Sequence, residues 1–257
     1  KAFLHKSDRL VYFIFFPVML FHKVGTAPLA SSGDWSFFQL TLAVVVAMFV
    51  LSSLAIHFGP IIPFQAGSFS QSCYRFNTYI GMAIIMTAFG DEGVAIFGIL
   101  ISMAIPLINL FSVSVLIWYG KEEMAAGKRL RVLAKALAAN PLILGCGAGI
   151  AYSALVGFFP VFLDNTLKLM TMVTLPMALI SIGGALTFDS LKSNFTTALG
   201  AAGFKLLLMP LLGYLAYSFC DISGVQFKVG MIFFTLPAST AIYVLSSQLD
   251  SDTELAS

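Results

Sequence analysis

Charge is scarce in this chain. Of 257 residues, 14 are Lys or Arg and 12 are Asp or Glu, 10% in all, while 59% are hydrophobic. A soluble domain carries about 25% charged residues to cover its surface, so water on all sides is excluded. A formal net charge of +2 leaves no basic footprint for a nucleic acid. Cysteine is equally thin. Cys73, Cys146 and Cys220 are odd in number, far apart and in or beside apolar runs, which gives neither a disulfide framework nor a CxxC metal pair. His5, His22 and His57 are single, without ligand spacing, and read as span-end residues. No G-x-S-x-G, P-loop or GxGxxG occurs. Neither an enzyme, a metal site nor a cofactor is expected.

What the chain has is long apolar runs with short polar breaks, the pattern of an all-α polytopic membrane protein. The short alternating segments of a β-barrel are missing. Eight spans are expected, roughly Leu10–Leu29, Ser36–Phe58, Ser70–Phe89, Gly93–Tyr119, Pro141–Phe158, Val161–Leu186, Phe195–Phe219 and Val225–Leu249. Each is near the ~20 residues that cross ~30 Å of hydrocarbon. Lys and Arg concentrate before span one, between spans four and five (Lys121, Lys128, Arg129, Arg131, Lys135) and at Lys192. The alternate loops "GTAPLASSGDW", "GDEG" and "CDISG" have neither, so the basic loops are expected in the cytoplasm. The chain starts at Lys1 and ends at Ser257 just after a polar loop, which reads as a piece of a longer protein.

An internal repeat is visible. "LVYFIFFPVMLF" of span one matches "LMTMVTLPMALI" of span six, placing Pro17 on Pro176 at an offset of 159 residues. "RFNTYIG" of span three matches "PASTAIY" of span eight at an offset of 162, placing Asn77 on Ser239, Thr78 on Thr240, Ile80 on Ile242 and Glu92 on Glu254. Each partner lies five spans later, so the second copy is inverted, the architecture of secondary transporters. The copies are 1–119, which lacks its first span, and 141–257, which lacks its last, joined by a basic cytoplasmic loop at 120–140. Eight spans of ten are therefore present.

Spans three and eight are both interrupted. Pro237 has no N–H and breaks span eight, and the Asn77 and Thr78 side chains compete with the helix ladder. Broken backbone at membrane depth belongs where it lines a cavity. Each break starts a half-helix whose positive end faces the membrane centre, so Asn77, Thr78, Pro237, Ser239 and Thr240 are expected to bind an anion. The alternative is that these residues glue helices together. Arg75 sits near the start of span three, where it either snorkels to headgroups or serves the substrate. Lys205 lies about ten residues, roughly 15 Å, into span seven and should face the interior for substrate binding or coupling. No carboxylate sits mid-span. Gly145, Gly147 and Gly149 in "GCGAG", with Gly183 and Gly184 in span six, read as close-packing positions.

With these residues in view, the chain resembles the auxin efflux carrier family, which includes bacterial malonate and malate permeases and plant auxin carriers. "YRFNTYIG" with "FGDEG", "NPLILGCGAGI", "LPMALISIGGAL", "FKLLLMPLL" and "LPASTAIYVLSSQ" carry the likeness. The resemblance implies inverted five-helix repeats with two broken, crossing helices, a fold similar to the bile-acid symporters and antiporters. It implies a scaffold part and a mobile transport part, and a site where the broken helices cross. Plant relatives have proline beside the asparagine, where Phe76 stands here. The expected function is a permease or efflux carrier for a small organic anion such as malonate, malate or another carboxylate, by elevator-like alternation. The bacterial plasma membrane is the expected location, the lipid bilayer and the anion the expected partners, with a homodimer allowed. Competing readings are a sodium-coupled organic anion symporter of the bile-acid type and a non-transporting membrane sensor.

Overall fold

A computed structural model describes residues 10–26, 35–119, 141–185 and 195–239, with isolated positions between 131 and 139 and between 242 and 255. The basic loop therefore lies almost entirely outside the described residues, as do Glu254 and Thr240.

The apolar runs are helices, and among the described residues there is no strand. Helix α1 starts as a π turn, Val11–Phe15, and continues as Phe16–Thr26. Helix α2 is Trp35–Phe58 and stops ahead of the Gly59-Pro60 pair, since proline restricts the residue before it. Helix α3, Pro63–Tyr74, has proline in its first turn, where a missing N–H costs nothing. The run Thr78–Tyr119 divides at Gly90, whose φ of 55° and ψ of −144° are not helical, into α4 (78–89) and α5 (Glu92–Tyr119). Then come α6 (Pro141–Leu155) and α7 (Val161–Ala185). Helix α8 is Phe195–Phe219, with a π turn at Phe204–Leu208, and α9 is Gly224–Thr235.

Both π turns have the same cause. Each precedes a proline by two residues, Pro17 in α1 and Pro210 in α8. A proline ring collides with the carbonyl four residues back, and widening the preceding turn moves that carbonyl aside.

Three of these helices, Trp35–Phe58, Glu92–Tyr119 and Phe195–Phe219, are each long and apolar enough to cross a membrane alone. Their outward faces carry large apolar side chains such as Val50, Leu207 and Phe219. The chain is an all-helical, integral membrane protein. Span seven lies where the apolar pattern puts it. Span three does not: its helix begins at Pro63 rather than Ser70. Consequently Arg75 lies twelve residues past the start of the element, at the C-terminal end of α3, about 18 Å from Pro63 at ~1.5 Å per residue, and not near the start of the span.

The helices pack as two groups. Helix α1 packs along α6 and against α7, whereas α2, α3, α8 and α9 pack on one another, and the 78–119 run touches both groups. In the first group two glycines allow backbone contact. A Cβ on Gly145 would lie 2.6 Å from the Pro17 carbonyl oxygen, and one on Gly149 would lie 2.9 Å from that of Phe21. Gly147 faces open space, so two of the three glycines of this stretch pack closely, while the surroundings of Gly183 and Gly184 lie outside the described residues. In the second group Gly213 lies against the Phe234 ring and Gly230 against Tyr217. Tyr217 also shares a hydrogen bond with the Thr41 hydroxyl.

Candidate functional site

Two helices are broken, and the breaks meet. Residues 75–77 are non-helical between α3 and α4, with Arg75 extended at φ −72° and ψ 142°. Residues 236–239 are non-helical after α9, and Ile242, the next described residue, is helical. The Asn77 backbone N–H donates to the Pro237 carbonyl oxygen at 2.9 Å. Around this bond Phe76 packs on Phe233, with ring centroids 4.5 Å apart. Leu236 and Phe97 close in where Gly81 has no side chain: a Cβ there would sit 2.7 Å from one and 2.6 Å from the other. Phe76 thus serves as packing where the two breaks meet.

Asn77 is buried and caps α4. Its Oδ1 accepts from the backbone N–H of Tyr79 at 3.0 Å and of Ile80 at 3.1 Å. This changes the expected picture of free N–H groups at the half-helix end, because two of the first-turn donors are already satisfied. At the second break Ile242 N–H donates to the Ser239 carbonyl oxygen at 3.0 Å. Asn77 thus lies at the start of α4, and Ser239 lies at the end of the described second break. Thr78 is half-buried beside Asn77, and Thr240 lies outside the described residues.

Arg75 does not snorkel. Its guanidinium turns inward, with Nη1 donating to Gln71 Oε1 at 3.0 Å and to Ser112 Oγ at 3.4 Å, and Nη2 donating to Asn109 Oδ1 at 2.9 Å. Asn109 and Ser112, on α5, are functional-site neighbours that the sequence pattern did not single out.

Lys205 is 2% exposed, in agreement with its expected interior position. The π turn of α8 carries it, and its Nζ donates to Met209 Sδ at 3.1 Å. A thioether is a weak acceptor, while an ammonium offers three donors. Among the described residues no carboxylate pairs with it. Lys205 lines a cavity of about 220 Å³ whose walls are Ser72 of α3, Ala198, Ala201, Ala202 and Leu206 of α8, Pro237 and Ala238 of the second break, and Leu255. Buried Lys205 thus borders a cavity walled in part by the second break. Arg75 and Asn77 do not line that cavity, so the expected site residues divide into a cavity set (Lys205, Pro237) and a crossing set (Asn77, Arg75).

A second polar cluster lies at the other group of helices. His22, expected at a span end, is 2% exposed, with Nε2 2.7 Å from Asp164 Oδ1. Lys168 Nζ lies 2.7 Å from Asp164 Oδ2. The pair joins α1 to α7 across 142 residues, a separation no local pattern reports.

Residues 7–257 match the membrane transport protein family. The chain belongs to this family. A transporter described as uncharacterized, from Methanocaldococcus jannaschii, is 21% identical over 179 residues, which is 69% of this chain. The chain spans 56% of that relative's length.

Proposed function

We infer that this chain belongs to a secondary carrier for a small organic anion such as malonate, malate or another carboxylate, working in a bacterial plasma membrane. The observation that carries this reading is the buried Lys205 ammonium bordering a cavity walled by the second break. A cation taken out of water without an ion-pair partner costs several kcal/mol, and a carboxylate entering the cavity supplies that partner. Asn77, Thr78, Ser239 and Thr240 add hydrogen-bonding groups at the crossing, where the Asn77 Nδ2 makes no bond to the described residues.

The inverted repeat is part of the proposal. Thr174 Oγ1 donates to the Phe15 carbonyl oxygen at 3.3 Å, and these two residues are separated by the same 159 positions as Pro17 and Pro176. Equivalent residues touch in this way when a two-fold axis passes between their helices. Two groups of helices that share one connecting run also suit elevator-like alternation, with one group held and the other moving.

The test is uptake of labelled malonate into proteoliposomes by the full-length protein, with and without a sodium gradient. Saturable uptake that is independent of sodium and abolished by Lys205→Met is expected. Uptake that requires sodium would favour the symporter of the bile-acid type, whose cation would sit at half-helix carbonyl ends. No uptake of any carboxylate, with binding retained, would favour a sensor.

A further inference from the structure

We propose that Ala202, with Ala198, sets the size of the anion this carrier accepts. The inference rests on the anion site at Lys205 and deepens it. Positions 198, 201, 202 and 205 recur at helical spacing, so they share one face of α8. Apart from the lysine, that face shows the cavity only methyl groups.

Close packing explains one of these alanines and not the others. Ala201 is 3% exposed and is fixed by its neighbours. Ala202 is half-buried and Ala198 is exposed, so nothing in the fold demands a methyl group at either. Both line the space beside Lys205. The cavity is graded in depth: Lys205 and Ala201 form its buried floor, and Ala198, Pro237 and Ala238 its open rim. A carboxylate that meets Nζ at the floor must send the rest of the molecule past Ala202.

The cavity of about 220 Å³ exceeds the ~150 Å³ that holds a benzene molecule. It therefore has room for malonate, of seven non-hydrogen atoms, as well as for acetate, of four. Leucine at 202 adds three carbons beside Lys205, which leaves less room for malonate than for acetate.

The experiment measures acetate, malonate and adipate binding by calorimetry on the full-length protein, comparing wild type with Ala202→Leu, Ala202→Gly and Lys205→Met. In Ala202→Leu malonate affinity should fall about 10- to 100-fold while acetate stays within about twofold, because pocket volume discriminates at that scale per one or two methylenes. In Ala202→Gly adipate should gain relative to malonate. Equal losses of acetate and malonate, or no loss of either, overturn the size filter while leaving the anion site standing. Should Ala202→Leu fail to fold, an unchanged adipate-to-malonate ratio in Ala202→Gly overturns it instead. Wild type binding none of the three, or Lys205→Met binding like wild type, removes the anion site itself, and that result is read before any alanine variant is compared.

Discussion

The Asn77 N–H reaches the Pro237 carbonyl oxygen at 2.9 Å, so the two helix breaks are tied to each other by backbone. The bond survives any change of the Asn77 side chain, whereas the cap on α4 does not. Asn77→Ala should therefore cost about 0.5–2 kcal/mol through the lost cap. Asn77→Asp keeps the acceptor and suits the positive helix end, but sets a negative charge at the crossing. Melting temperature should fall in the alanine variant and hold in the aspartate variant, while carboxylate affinity collapses in the latter. Wild-type affinity in Asn77→Asp would place the anion away from the crossing.

The glycine pair in α6 gives an internal control. Gly145→Ala drives a methyl group into the Pro17 backbone, which cannot swing aside, whereas Gly147→Ala enters open space. Overpacking costs typically 1–3 kcal/mol, and alanine at position 147 gains about 1 kcal/mol in helix propensity. Thermal melts should show Gly145→Ala destabilised and Gly147→Ala equal to wild type or slightly better. Equal melting temperatures in the two variants would mean that α1 and α6 are not packed through Gly145.

How far the sequence reads depends on what surrounds each helix. Helix α8 faces a nonpolar exterior with Leu207, Leu211 and Phe219, so its apolar run marks both ends, Phe195 and Phe219. Helix α3 is wrapped by protein. Ser68, Ser70 and Gln71 are fully buried and bond internally, as Ser68 does to Ser246 at 2.9 Å. A lipid-transfer pattern misreads such a helix, and the late start assigned to span three put Arg75 at the wrong depth. The breaks themselves were legible, because Pro237 and the Asn77-Thr78 pair conflict locally with a helix. The His22–Asp164 link and the Asn109 and Ser112 partners of Arg75 arise only when distant helices meet.

Those partners make Arg75 testable. A guanidinium forks to several acceptors, and lysine is a single point donor on a flexible stem. Hydrogen bonds to charged groups are worth about 1.5–3 kcal/mol, so Arg75→Lys and Asn109→Leu should each lower stability by that order. Because they share a bond, the double variant should fall short of the sum. The amide of Asn109 is oriented by this contact: Oδ1 accepts from Arg75, which leaves Nδ2 buried without a partner among the described residues. Unchanged melting in Asn109→Leu would show that Arg75 is held by something other than this amide.

Lys205 separates stability from function most sharply. Its side chain is buried and, among the described residues, its one hydrogen bond goes to a thioether, so the fold carries a desolvation cost that this contact does not offset. Methionine has similar length and no charge. A charge taken out of water without a partner carries an effective penalty of several kcal/mol, which an apolar side chain of similar length avoids, and sites kept for function are commonly those where stability has been given up. Lys205→Met should accordingly melt at a higher temperature than wild type without ligand and lose carboxylate binding. Saturating malonate should raise the melting temperature of wild type only, since a ligand stabilises the state it binds in proportion to its occupancy. A lysine held for packing gives the opposite pattern: methionine lowers the melting temperature, and malonate shifts both proteins alike. Melting curves of the two purified proteins, each with and without malonate, decide between these outcomes.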